Sequence, residues 1–255
     1  MNVKMLLVVE LLCKFVDMIK YMSARLTLTL FFIAILIFTG CKKENELKPV
    51  DYLYSYFPLI KGHELIYNVV DIVIDKDINQ FDTVIYQLKE RIDSMFIDNS
   101  GNAAWRLERY KRDDSTASWV ISDVWMAQIA NNRAQQVEEN QRYVKIIFPP
   151  EIGDTWNGNI YTTLESQEYK VTGLNSPLSL NNFYFDSVLT VTTENTETMI
   201  NKYYSFNQYA NHSGLINKQM ISIDYADIIP GLPIEQRISR GHLYYQTLIK
   251  EQIIL

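Results

Sequence analysis

Alternation of apolar and polar residues dominates the chain beyond residue 50. It is clearest in residues 82–97, where one face is polar and the other carries Val84, Tyr86, Leu88, Ile92 and Phe96. Side chains of a β-strand point to opposite faces in turn, so a period of two predicts a half-exposed antiparallel strand.

Similar runs recur along the rest of the chain, at 64–75, 103–112, 117–129, 133–139, 141–148, 159–171, 183–193, 199–207, 215–224 and 241–253. Segments rich in Gly, Pro, Asn and Asp separate them, among them DNSGN, KRDDS, LNSPLSLNN and IPGLP. Sustained helical periodicity is missing, although IEQRISR near residue 237 is compatible with a helix. The pattern predicts an all-β antiparallel meander of roughly ten strands, closed into a barrel or a sandwich.

The first 40 residues contain two apolar stretches of different character. Residues 5–19 are interrupted by charge, whereas the 13 residues LTLTLFFIAILIF carry none. A run of that length is short for a membrane-spanning helix and fits the core of a signal peptide. We therefore predict that residues 1–40 are a signal peptide whose true start is near Met22, the alternative being an unusually long basic leader.

The signal ends in Phe38-Thr39-Gly40-Cys41, which resembles the bacterial lipobox, although Phe38 departs from its usual leucine. The resemblance implies cleavage after Gly40 and lipidation of the Cys41 thiol. Each buried methylene of the lipid contributes about 0.8 kcal/mol to membrane anchoring. Cys13 is a weaker candidate, because no small residue precedes it.

Charged and polar residues follow Cys41 in KKENELKPVD, so residues 41–51 are predicted to be a lipidated tether before a β-domain at 52–255. A lysine followed by acidic residues resembles the surface-export signal of Bacteroidota lipoproteins. It implies an outer-membrane location on either the cell surface or the periplasmic face, with the surface favoured.

The opening DYLYSYFPLIKGHELIYNVVDIVID resembles the start of Bacteroidota lipoproteins of unknown function, and YANHSGLINKQ is similar to a later segment of such chains. The resemblance implies a cellular location and a fold, but it does not assign any catalytic residue to this chain. Within the chain, FPLIKGHELIYN and FPPEIGDTWNGN share a Phe-Pro, a later Gly and a final Asn. Either the similarity is chance, or the β-domain has two related halves, 52–147 and 148–255.

Composition excludes several classes of function. The formal net charge is −6 and the chain has no long basic cluster, which argues against nucleic-acid binding. Both cysteines, Cys13 and Cys41, precede the β-domain, so no disulfide or cysteine-based metal site is expected within it. No cofactor is predicted.

Histidines offer little catalytic chemistry, since His63, His212 and His242 are scattered and all follow or occupy turn-like sequence. We expect them in exposed turns, with no zinc site and no catalytic triad. No common catalytic motif is present, although a pair of catalytic carboxylates would leave no trace in the sequence.

Two further sets of residues are candidate sites. The four tryptophans, Trp105, Trp119, Trp125 and Trp156, would form a ligand platform if they shared a sheet face, or would be core. Thr83, Ser94 and Ser187 each follow Asp and precede an apolar residue, which is similar to the O-glycosylation site of exported Bacteroidota proteins; the alternative is ordinary turn usage before a strand.

The sequence thus predicts a lipid-anchored envelope β-domain that binds a glycan, a peptide or an envelope protein without catalysis. The alternative is a hydrolase acting on envelope or other polymers through unrecognised carboxylates.

Overall fold

The computed structural model describes residues 10–21, 26, 29, 50–226 and 230–254. The chain divides into two compact units, Met1–Val50 and Asp51–Leu255. In the first unit residues 10–21 are helical, and Cys13 is exposed there. No helix among the described residues combines the length and the apolar character needed to cross a membrane. The predicted cleavage and lipidation sites, Gly40 and Cys41, lie outside the described residues.

Among its described residues, the second unit contains twelve strands and two short 3-10 helices. The 3-10 helices are Tyr54–Tyr56 and Ile234–Arg237. The strands are β1 His63–Asp75, β2 Gln80–Ile97, β3 Ala103–Arg112, β4 Val120–Ala130, β5 Arg133–Glu138, β6 Gln141–Ile147, β7 Thr155–Asn157, β8 Glu168–Leu180, β9 Phe183–Glu197, β10 Asn201–Ala210, β11 Gly214–Tyr225 and β12 Ile238–Ile253.

All twelve strands form one antiparallel sheet in the order β6-β5-β4-β3-β2-β1-β12-β11-β10-β9-β8-β7. The edges, β6 and β7, approach each other: Arg142 and Tyr161 form an isolated bridge, and the Val144 amide donates to the Gly158 carbonyl at 2.9 Å. The sheet is therefore a nearly closed barrel. This confirms the all-β antiparallel meander and selects the barrel, with twelve strands rather than about ten.

Two six-stranded meanders, β1–β6 and β7–β12, meet in the β1–β12 pair. The two Phe-Pro segments of the sequence precede β1 and β7, the first strand of each meander, and each is followed by a glycine of positive φ, Gly62 and Gly153. The relatedness of the two halves remains a prediction.

The strand predicted at 159–171 is wrong. The structure has a short strand at Thr155–Asn157, a loop, and then Glu168–Leu180. LNSPLSLNN, read as a turn, belongs mostly to this second strand. Three register shifts interrupt the β8–β9 pairing, and such irregularities accommodate Pro177 and the positive φ of Asn175 within a strand.

The segment before β1 packs into the barrel and joins one of its two cores. The Tyr56 side chain is 1% exposed, and its hydroxyl contacts Asn175 Oδ1 at 2.7 Å and Ser187 Oγ at 2.6 Å. The first core cluster consists of Tyr56, Ala134, Ile146, Phe148, Tyr169, Val171, Leu189, Val191 and Tyr209.

A second core cluster joins β1, β2, β10, β11 and β12 to the end of the β8–β9 hairpin. It consists of Leu65, Tyr67, Val69, Leu88, Phe185, Val188, Ala210, Ile216 and Leu248. Asn181, at the tip of that hairpin, donates from Nδ2 to the Leu248 carbonyl at 2.7 Å. The two clusters hold the walls of the barrel at fixed positions around the polar space described next.

Candidate functional site: a polar cavity in the barrel

A cavity of about 90 Å³ lies within the barrel. Strands β1 to β6 and β10 to β12 all contribute side chains to its wall. Residues 57–59, just after the first 3-10 helix, and Ser213 of the β10–β11 turn contribute the rest. Leucine and aromatic side chains alternate there with charged and amide groups. Pockets for drug-sized ligands are about 300–1,000 Å³, so this space suits a small group rather than a whole sugar chain.

On one side of the cavity, every charge has an opposite charge beside it. Arg109 of β3 lies between two carboxylates, with Nε 3.1 Å from Glu90 Oε1 and Nη1 3.5 Å from Asp123 Oδ2. Its guanidinium carbon is 3.7 Å from the ring centroid of Trp125, a close cation–π contact. This group fixes Trp125 against the cavity wall.

Glu138 and Lys145 form a second neutralised pair, with Oε1 and Nζ 2.5 Å apart. Burial opposes the charge of each group, but their mutual attraction outweighs it, with a further contribution from Lys218 to the charge of Glu138. The pKa of Glu138 therefore lies below its ordinary value and the pKa of Lys145 above it. Both side chains stay charged at neutral pH.

Across the cavity, three polar residues form a row on adjacent strands. Lys218 of β11 is in register with Asn207 of β10 and with Gln246 of β12. All three line the cavity. Neighbouring strands are about 4.8 Å apart, so the row presents two amides on either side of an ammonium group.

The row lacks protein partners for its donors. Gln246 is 2% exposed, its carbonyl oxygen accepts from the Tyr244 hydroxyl at 2.8 Å, and its Nε2 donates to no described atom. Lys218 Nζ lies 5.6 Å from the ring centroid of Tyr244, and no described carboxylate is within ion-pair distance. No hydrogen bond among the described residues uses the buried Asn207 amide. Buried donors in native proteins are almost always satisfied, so the unpartnered Nε2 of Gln246 is exceptional.

The surroundings of Lys218 lower the pKa of its ammonium group. Burial is the largest influence and lowers the pKa of its ammonium group, and the nearby cations Lys145 and Arg109 lower it further. Attraction to Glu138 and Glu90 acts in the opposite direction without compensating. The environment therefore disfavours the charged lysine unless a further negative group enters.

His63 and Ser213, both buried at the cavity wall, each contact the half-buried Glu251. His63 Nε2 lies 2.8 Å from Glu251 Oε1, and the Ser213 hydroxyl donates to Glu251 Oε2 at 2.8 Å. Burial raises the pKa of Glu251, but these hydrogen bonds outweigh it and leave the pKa below its ordinary value. The carboxylate separates the hydroxyl from the imidazole, so the geometry is not that of an activated serine.

The expectation of exposed turn histidines is right for only one of the three. His212 is exposed in the β10–β11 turn. His63 is 4% exposed on β1, and His242 lies on β12 with Nε2 2.8 Å from Asp71 Oδ1. Gly62 does lie in a turn, but His63 is the first residue of the strand that follows it, and Gly241 lies inside β12.

The four tryptophans occupy different environments. Trp125 faces the cavity, and Trp105 shares that face of the sheet through its alternation with Leu107. Trp119 stacks on Arg112 at 4.2 Å on the opposite face. Trp156 packs against Tyr169 in the first core cluster and donates to the Val144 carbonyl at 2.9 Å. No ring contact among the described residues joins any two of the four indoles.

The candidate glycosylation residues also differ. Thr83 is exposed on β2, whereas Ser94 donates to its neighbour Asp93. The Ser187 hydroxyl is engaged by Tyr56 and Asn175. Within the described residues, no group of three or more His, Cys, Asp or Glu side chains could hold a metal ion.

Sequence reasoning missed Lys218, Gln246 and Asn207. The segment NKQMIS mixes polar and apolar residues on both faces, so alternation gives no sign that the lysine faces inward. Only the closure of the barrel makes that face an interior.

No protein-family model matches the chain, and no curated protein matches it. Two crystal structures show a distant likeness. One is a presumed exported protein with a YmcC-like fold from Bacteroides fragilis, 12% identical, covering 77% of this chain and 98% of its own, with a TM-score of 0.42. The other is a presumed lipoprotein from Parabacteroides distasonis, 8% identical, with the same coverage and a TM-score of 0.35.

Proposed function

We propose that this chain is a lipid-anchored outer-membrane protein whose barrel binds a small polar ligand in the cavity between β1–β6 and β10–β12. The observation that carries the proposal is the wall made by Lys218 and Gln246. Among the described residues, the buried Gln246 Nε2 has no hydrogen-bond acceptor and the half-buried Lys218 has no carboxylate within ion-pair distance. A buried donor without a partner costs about 1–3 kcal/mol, and a bound acceptor would remove that cost.

The geometry favours binding over catalysis. The charged groups opposite the row are already neutralised by each other, and Ser213 donates to a carboxylate rather than to an imidazole. The hydrolase alternative needs two free carboxyl groups that converge on a cleft. In the cavity wall, Glu90 and Glu138 each bind a cation instead.

Native mass spectrometry of the full-length protein, purified gently from its own cells, tests the binding proposal. We expect a small molecule to accompany the wild type. Ala127→Leu, which enlarges a 2%-exposed side chain of the cavity wall, should displace that molecule. Ala103→Leu, at an exposed position of β3, is the matched control and should retain it. A wild type that carries nothing, from cells grown in several media, would contradict the proposal.

The anchor is tested separately by metabolic labelling with an alkyne fatty acid. Wild type and Cys13→Ser should be labelled, whereas Cys41→Ser should not, because only the Cys41 thiol follows the small residues that the peptidase requires. Label that persists in Cys41→Ser would overturn the assignment. Proteinase K added to intact cells then distinguishes surface display, which means rapid loss, from a periplasmic face, which means protection.

A further inference from the structure

The chemistry of the unpartnered row narrows the class of ligand. Among the cations of the cavity wall, Arg109 binds Glu90 and Asp123, and Lys145 binds Glu138. Lys218 is the one for which no described carboxylate is within ion-pair distance. Beside it, the Gln246 amide is held by the Tyr244 hydroxyl so that its oxygen is occupied and its Nε2 is left as a donor.

We infer that the row formed by Asn207, Lys218 and Gln246 is a receptor for an oxyanion, the carboxylate or phosphate group of a small ligand. This inference rests on the proposed function and names the chemistry of that site. An ammonium flanked by an amide N–H offers charge-assisted hydrogen bonds to two oxygens of one group. A neutral hydroxyl or sugar ligand would leave the lysine charge without a counter-charge.

Size and surroundings agree with this ligand class. A cavity of about 90 Å³ accepts a carboxylate or phosphate group. Apolar residues also line the cavity, with Phe57, Leu65 and Leu215 among them. A compact anion with a short apolar portion therefore fits the whole wall, since apolar surface favours the carbon atoms and the row favours the oxygens.

Groups that face Lys218 from the opposite strands make the site selective for anions. Glu138 and Glu90 attract the ammonium, while Lys145 and Arg109 repel it. Because both carboxylates are already engaged by those two cations, they do not compensate for the buried charge of Lys218. An entering oxyanion would meet three cations and two carboxylates, so the excess positive charge of Lys218 favours its binding.

Isothermal titration calorimetry on the full-length protein in detergent, at constant ionic strength, tests the inference with inorganic phosphate and butyrate as probes. We expect at least one probe to bind the wild type, and the stronger of the two identifies the head group. Lys218→Met should weaken that binding about tenfold or more, since it removes a charge-assisted hydrogen bond. Gln246→Glu, which replaces the donor with a negative group, should abolish it.

Lys170→Met, at an exposed position of β8, is the matched control and should bind like the wild type. Circular dichroism melting verifies that each variant is folded. Equal binding of both probes by wild type and Lys218→Met, or no binding by either, would overturn the oxyanion assignment. If a neutral molecule accompanies the purified protein and Lys218→Met retains it, the proposed function stands and this inference falls. If nothing accompanies the wild type either, both fall.

Discussion

The Glu138–Lys145 pair and the Lys218–Gln246 pair line the same cavity from opposite sides, yet only the first is electrostatically complete. Glu138 and Lys145 are 2.5 Å apart and hold each other in the charged form. Lys218 has an amide as its register partner, and that amide offers a second donor rather than an acceptor. One side stabilises the barrel by its own contacts, whereas the other is arranged for a group that the chain does not supply.

This difference distinguishes buried charges that stabilise the fold from a charge that is left for a ligand. A buried pair stabilises the fold only relative to losing one partner, since burying each charge is itself costly. Mutation of the Glu138–Lys145 pair should therefore lower the stability of the fold. Removing the charge of Lys218 should instead raise the stability, because an uncompensated buried charge destabilises the fold.

Breaking the complete side should have the largest effect. Glu138→Gln leaves Lys145 as a buried cation without its partner and removes the largest attraction on Lys218, so the free energy of unfolding should fall by about 3–5 kcal/mol. Urea denaturation followed by circular dichroism measures it. Glu168→Gln, at an exposed position on β8, should change stability by less than about 0.5 kcal/mol. A Glu138→Gln variant as stable as this control would show that the pair does not hold the wall.

Removing the charge of Lys218 should change the stability by less, and should increase it. Lys218→Met keeps the length of the side chain and removes its charge, so the ligand-free protein should become more stable by about 1–3 kcal/mol. The same urea titration, with Lys170→Met as the control, checks it. A clear loss of stability in Lys218→Met would mean that the lysine is a structural element.

The pH dependence of stability should sharpen the same contrast. Burial lowers the pKa of Lys218 in the native state, so the unfolded chain binds that proton more tightly. Stability should therefore rise with pH between that lowered value and the ordinary lysine pKa of about 10.4. The stability gap between Lys218→Met and the wild type should narrow over this window. A gap independent of pH would contradict the buried charge.

Buried tyrosines set the upper pH limit of that experiment. Burial raises the pKa of Tyr67 and of Tyr209 well above the usual value, so the native state holds those protons longer than the unfolded chain does. Stability should fall above about pH 10 in wild type and variant alike. The effect cancels in the difference between the two proteins.

Alternation of apolar and polar residues predicts a strand only where one face of that strand is apolar and the other is polar. It located β3 at 103–112 with its observed bounds, and β2 within two residues, because those strands have one apolar and one polar face. It failed between residues 159 and 180, where Tyr, Thr and Asn on both faces hide the loop and where Pro177 reads as a turn although it lies in an irregular strand.

The candidate site could not be predicted in the same way. In a barrel, whether the inner face is wet or dry depends on closure by β6 and β7 at opposite ends of the sheet order. Lys218 occupies an inward position, but within the strand it reads as an ordinary solvent-facing lysine. The tryptophan set failed as a guide to a shared surface for a related reason: composition gives the number of large rings, and only the register assigns each ring to a face.

The most direct test of the account is the titration of Lys218 itself, followed by nuclear magnetic resonance of the lysine ε-carbons and assigned by comparison with Lys218→Met. The account predicts a pKa below the ordinary lysine value in the ligand-free protein, because burial disfavours the charge. It also predicts an upward shift when phosphate or butyrate is added, because an anion binds the protonated amine preferentially. A Lys218 that titrates at the ordinary value and ignores both anions would contradict the claim that the barrel holds an incomplete, anion-seeking site.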